Sequence, residues 1–168
     1  MPRVKIETKG LDELRRGLLL IEEDSEEICK RSIFDGAAQA AAALKAAVGT
    51  LHTVPDVVAM GNWRKMQPGY LSVKQKLGLL SGLGIARMKT RGQEINAKVG
   101  FGGYNDVKTK RWPNGQPNVM IAAQCNHGNS STMLRQPFID AAVEVSQGDI
   151  EAAMRATLTA ELTKRLES

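Results

Sequence analysis

The chain has 168 residues, 42% of them apolar and only 4% aromatic, with a net charge of +5. That length suits one domain over 1–168, its core built mostly of Leu, Ile, Val, Ala and Met. The polar, alternating stretch Met1–Gly10 is unlike a signal peptide, and no apolar run approaches the ~20 residues of a membrane helix.

Two cysteines, Cys29 and Cys125, are too few for a disulfide framework and are expected to be small buried hydrophobes in a protein made in a reducing cytoplasm. Charge is divided unevenly. Residues 1–44 carry seven Lys/Arg against nine Asp/Glu, residues 45–112 twelve against three, and residues 113–168 four against six. The middle third therefore holds the whole cationic excess. Such a segment meets phosphates or an acidic partner, or is a solvated basic loop.

In chain order, Val4-Lys5-Ile6-Glu7-Thr8 alternates as a half-buried strand does. Leu11, Leu14, Leu18, Ile21, Ser25 and Ile28 then recur at steps of three and four, the stripe of an amphipathic helix. The run continues through Ala37–Ala47 and ends near Val48-Gly49, as one long helix or two joined at Ser32–Gly36. Its small Ala face admits a close neighbour, either another helix of the chain or a second subunit. Thr50–Leu77 loses both periods and is punctuated by Pro55, Gly61, Pro68 and Gly69, so a long basic loop is expected there, an excursion from the core.

Gly82–Thr90 and Glu94–Gly102 are expected as a hairpin. In its second strand Ile95, Ala97, Val99 and Phe101 alternate with Glu94, Asn96, Lys98 and Gly100. Gly78–Gly84 has the wrong order and no lysine for a phosphate loop, and is expected to be a chain reversal. A second loop, Tyr104–Pro117, carries the turn signal Pro113-Asn114-Gly115. Asn118–Cys125, with Val119, Ile121 and Ala123, is expected to add a third strand. Asn126–Thr132 follows as a polar loop, and Pro137 opens a helical segment. A last helix is expected over Asp149–Leu166, with Asp149 as its N-cap. The predicted class is α+β: an N-terminal strand, a long amphipathic helix, an antiparallel sheet of three to four strands and a C-terminal helix.

Chemistry is thinly supplied. His52 and His127 both fall in expected loops, and Cys125-Asn126-His127 lacks the further ligands a metal site needs. The carboxylates of Glu22–Glu27 fit the solvent face of a helix better than a catalytic pair. No metal, cofactor or catalytic residue is expected. The contact candidates are the basic loop residues Arg64, Lys65, Lys74, Lys76, Lys108, Lys110 and Arg111, suited to nucleic-acid backbone or an acidic partner. Trp63, Trp112 and Phe138 are candidate anchors of a protein interface.

Several segments carry a resemblance. Val4-Lys5-Ile6-Glu7-Thr8-Lys9-Gly10-Leu11-Asp12-Glu13-Leu14 resembles the opening of the phage tail-component family typified by the lambdoid phage Hong Kong ninety-seven. Val119–Cys125, expected as a strand, then Asn126-His127-Gly128-Asn129 and Arg135-Gln136-Pro137-Phe138-Ile139-Asp140-Ala141-Ala142 resemble its later strand, loop and helix-opening segments, and Gly82–Gly102 sits where that family places its hairpin. Two departures stand out: residues inserted between Leu51 and Leu77, and His127 where the family usually has Glu. The resemblance implies a non-enzymatic virion protein, made in the host bacterial cytoplasm, that forms a ring in the neck or at the head-proximal end of the tail. The ring would be a hexamer, or a dodecamer. Its partners would be neighbouring neck, stopper, tail-terminator or tail-tube proteins, with non-specific contact to genomic DNA and none to membrane. The competing expectation is a basic phage-encoded DNA-binding protein.

Overall fold

The computed structural model describes residues 9–55, 69–91, 94–129 and 133–166. Its class is α+β, with four helices and small strand pairs among the described residues. The expected strand at Val4–Thr8 lies outside them.

Helix α1 (Lys9–Thr50) runs unbroken for 42 residues, about 63 Å at 1.5 Å per residue. Ile28, Ser32, Gly36, Leu44 and Val48 are buried along it, with Ala37 beside them. Those spacings are multiples of four, one face of a helix. Leu18, placed in the same stripe by spacing, is 54% exposed. Helix α4 (Phe138–Leu166) packs antiparallel on that face. Their pairings run in opposite chain directions: Asp24 with Arg165 at 3.0 Å, Arg31 with Glu161 at 3.0 Å, and Thr157 donating to Asp35 at 2.6 Å. Gly36 lets Met154 and Ile150 come close, and a Cβ there would lie 2.6 Å from Met154 Cγ. Just before the Ala-rich face, at Gly36, α4 of the same chain makes this close approach.

Beyond α1 the chain forms β1 (Thr53–Val54), which pairs in parallel with β2 (Leu71–Ser72). Helix α2 (Val73–Gly82) follows directly. The expected loop thus ends by Leu71, which is fully buried, and Gly78–Gly84, expected as a chain reversal, is the end of that helix through Gly82 followed directly by strand. The sequence Ser72-Val73-Lys74-Gln75 starts it: Gln75 N donates to Ser72 Oγ at 3.2 Å and Ser72 N to Gln75 Oε1 at 2.9 Å, a reciprocal cap.

The hairpin comprises β3 (Leu83–Ile85), β4 (Lys89–Arg91), β5 (Glu94–Asn96) and β6 (Val99–Phe101). Leu83 faces Phe101 and Ile85 faces Val99, whereas Lys89 faces Asn96 and Arg91 faces Glu94. The register shifts by one between these pairs, where three residues (86–88) oppose two (97–98), as in a bulge. Ile95, Ala97, Val99 and Phe101 are half-buried; Glu94, Asn96 and Lys98 are exposed, in keeping with their alternation.

Two sequence expectations are overturned here. Asn118–Cys125 is not a third strand but part of helix α3 (Asn118–His127). Its buried positions are Asn118, Ile121, Ala122, Cys125 and Asn126, whereas Val119 is 63% exposed. The alternation of Val119, Ile121 and Ala123 was accidental, because two polar asparagines occupy the inward face. The sheet of three to four strands is therefore absent among the described residues, which hold only two-stranded pairs. The last helix does not begin at Asp149 either. It starts at Phe138 and passes through Gly148, since burial of Phe138, Ala142 and Ser146 outweighs one exposed glycine. The core gathers at the C-terminal end of α1, where Val48, Leu51, Leu71, Leu79, Ile121, Cys125, Met133 and Phe138 meet.

Candidate functional site

The candidate contact residues divide sharply once placed. Trp63, Arg64 and Lys65 lie outside the described residues. Lys76 is not a loop cation: it sits on α2, its Nζ donating to the carbonyl oxygens of Gly49 at 2.8 Å and Leu51 at 2.9 Å. Lys74 is on the same helix, exposed. Phe138 is no surface anchor. It is 5% exposed and packs edge-to-face on Phe101, ring centroids 5.8 Å apart.

Lys108, Lys110 and Arg111 are exposed on the loop 102–117. Trp112 is half-buried there, its ring 5.5 Å beneath the Arg111 guanidinium, a cation–π contact. Thr109 N and Trp112 N exchange hydrogen bonds with each other's carbonyl oxygens at 3.0 Å, and Gly115 N closes the expected turn on Trp112 O at 3.2 Å. Asn105 anchors the loop from within, its Oδ1 accepting from Val107 N at 2.9 Å.

A cationic surface that spacing alone had not singled out lies on the hairpin. Arg87, Lys89, Arg91 and Lys98 are all exposed. Lys89 and Arg91 share one face of β4, while Thr90 between them turns the other way and donates to Glu26 of α1 at 3.2 Å. The hairpin thus rests on α1 and turns its basic face outward. The signal was present as Arg87-Met88-Lys89-Thr90-Arg91, a period of two within an expected strand.

The chemical candidates are separated. Cys125 is fully buried, and burial pushes its thiol up to about 11, which leaves it protonated and unreactive. His127 is two residues on, about 200° around α3, and exposed. His52 packs edge-on to Tyr70 at 4.8 Å. No group of three or more His, Cys, Asp or Glu could hold a metal ion among the described residues. Cys29, expected to be buried, is exposed. A groove of about 370 Å³ between α1, α4 and the hairpin segment before β4 is lined by Phe34 and Met88 with Lys30, Arg31, Thr157 and Glu161, and its charged groups are largely paired. No family model, curated protein or solved structure matches this chain. No helix among the described residues is long and apolar enough to cross a membrane.

Two asparagines hold the basic hairpin and α4 to one frame. At the start of α3, Asn118 N donates to Gly103 O at 3.0 Å and Asn118 Nδ2 to Gly102 O at 2.8 Å. At its end, Asn126 Oδ1 accepts from Ile139 N at 2.9 Å and Nδ2 donates to Asp140 at 3.2 Å. Gly128 closes the helix at φ 76°, its N donating to Gln124 O at 2.8 Å. Gln136 N donates to Cys125 O at 2.7 Å, and its side-chain Oε1 accepts from His52 N at 2.8 Å.

Proposed function

We propose that this chain is a structural subunit of a tailed-phage virion, forming a ring in the neck or at the head-proximal end of the tail. It is one unit over 1–168, and it acts without chemistry of its own. The observation that carries the reading is the junction of two later resemblance segments. Asn126-His127-Gly128 and Gln136-Pro137-Phe138-Ile139 are bonded into a single corner through Asn126 and Gln136. The contact between the two segments supports reading them together as one local unit.

A ring needs one heterologous interface repeated until it closes. Exposed cations on the hairpin and on the loop 102–117 offer contacts to a neighbouring ring or to DNA in the channel. Disrupting the gene in the phage or prophage that carries it should leave filled heads and tails unjoined. Normal infectious yield, with the protein absent from purified particles, would overturn the reading.

The second reading, a free-standing DNA-binding protein, draws on the hairpin's four cations. It requires tight binding of purified protein to duplex DNA, weakening steeply with salt. A ring subunit should bind DNA only weakly outside the particle, so one salt titration separates the two.

A further inference from the structure

We propose that the cationic outer face of the hairpin docks on the acidic outer face of the first half of α4 in a second copy of this chain. This rests on the ring reading and names the surfaces that would join neighbouring subunits. Arg87, Lys89, Arg91 and Lys98 are exposed, and no ion pair engages them among the described residues. Glu94, opposite Arg91, leaves this face with a net +3.

The counterpart is on α4. From Phe138 to Met154 it carries Asp140, Glu144, Asp149 and Glu151, with no Lys or Arg. Phe138, Ala142 and Ser146 turn inward, so Asp140, Glu144 and Glu151 are exposed on the side away from α1, whereas Asp149, also exposed, lies about 140° around the helix from Glu144. Val143 and Val145 flank Glu144 on either side of the helix, 59% and 80% exposed. Asp140 and Glu144, one turn apart, repel each other in an isolated copy, which a cationic partner would relieve.

The two faces do not meet within one copy, because the hairpin rests on α1 and the acids look away from it. Complementary patches on different sides of one subunit form a head-to-tail contact, the type that closes rings. DNA is the weaker fit to the hairpin, since Glu94 would present a carboxylate to phosphate beside Arg91.

The test measures self-association of the full chain by sedimentation at low and high salt. Two variants are compared with wild type: Arg87→Glu with Lys89→Glu and Arg91→Glu, and Glu144→Lys with Glu151→Lys. Wild type should associate at low salt and dissociate at ~1 M, where the screening length falls to ~3 Å. Each charge reversal should weaken association at least ~10-fold, in the range that close charge pairs across interfaces contribute, with unchanged circular dichroism. An equal mixture of the two variants should restore it, because each then meets a complementary face. Unchanged association in both variants, no recovery on mixing, or a wild-type monomer at every salt concentration overturns the interface. So does hairpin reversal that abolishes duplex-DNA binding and leaves association intact. Virion content judges the ring reading separately: the protein found in particles despite a failed interface test leaves that reading standing.

Discussion

Lys76 closes the end of the longest helix by donating its ammonium to the carbonyl oxygen of Gly49 at 2.8 Å, and to that of Leu51 at 2.9 Å. Helix α1 has no basic residue in its own last turn, so a cation from α2 meets the negative end of its dipole. Lys76 is therefore structural rather than a spare charge for a partner. Lys76→Met should lower unfolding stability by about 1–2 kcal/mol, the scale of a hydrogen bond to a charged group. Lys108→Met should change it by less than ~0.5 kcal/mol, as exposed positions do. Urea unfolding of both variants checks the contrast.

Phe138 joins the hairpin to α4 through its edge-to-face contact with Phe101. Truncating it opens the core where Leu79, Ile121 and Cys125 gather. Phe138→Ala should cost about 3–5 kcal/mol, as large-to-small aromatic changes in cores do. Thermal unfolding would show it in the isolated subunit. An interface anchor would instead leave that subunit's stability alone and affect only assembly.

Two glycines should respond to alanine with opposite signs. Gly128 sits at φ 76° and ψ 167°, a region almost closed to other residues, and a Cβ there would lie 2.9 Å from Arg135 Cβ. Gly128→Ala should destabilise by about 1–3 kcal/mol. Gly148 is inside α4 with nothing within 4 Å of a built Cβ. Gly148→Ala should stabilise by about 0.5–1 kcal/mol through helix propensity. Denaturant midpoints of the two variants would lie on either side of wild type.

What could be read from the sequence follows from which side chains advertise their period. Of the stripe expected along α1, Ile28 is buried but Leu18 and Ser25 are exposed, because the buried face also takes in Ser32 and Gly36; Ile95, Val99 and Phe101 marked the inward face of the hairpin, which apolar residues fill. The inward face of α3 is set partly by Asn118 and Asn126, which are buried yet polar, so its helical period was hidden behind an accidental alternation. Helix α2 was legible in principle from Ser72-x-x-Gln75, a capping box set in a segment dominated by turn signals. Its Lys76 had no local partner in sequence, and only the packing of α2 on the end of α1 gives it one. The outward basic face of the hairpin needed the register, since only the pairing of Lys89 with Asn96 and of Arg91 with Glu94 shows which side chains share it.

The two thiols should react at very different rates. Cys29 is exposed, whereas Cys125 is fully buried with its thiol pushed up to about 11. A disulfide reagent at about pH 8, near the ordinary thiol range, should label Cys29 promptly and Cys125 only after denaturation. Because the folded state raises the Cys125 value, stability should hold below the unfolded thiol's pKa. It should fall as pH climbs from there toward about 11. Cys125→Ala should flatten that fall, and a slope unchanged by the substitution would refute the assignment.

The far end of the helix pair is joined by ions rather than by apolar burial. Arg165 reaches Asp24 at 3.0 Å and also pairs with Glu161, which in turn meets Arg31 at 3.0 Å. Hydrogen bonds from Arg165 and then Arg31 hold the Glu161 carboxyl below the usual carboxylate range. A depressed carboxyl contributes stability above its unfolded pKa and loses it as pH falls through the folded value. Leu18 and Leu166, both exposed, give this end little hydrophobic reinforcement, so it should open before the core does. Hydrogen exchange over residues 155–165, corrected for intrinsic rates, should quicken below the ordinary carboxylate range and also at high salt. The core amides of α3 should not follow. In Glu161→Gln the acid-induced change should largely vanish, because the group that titrates is gone; an undiminished change would move the cause elsewhere.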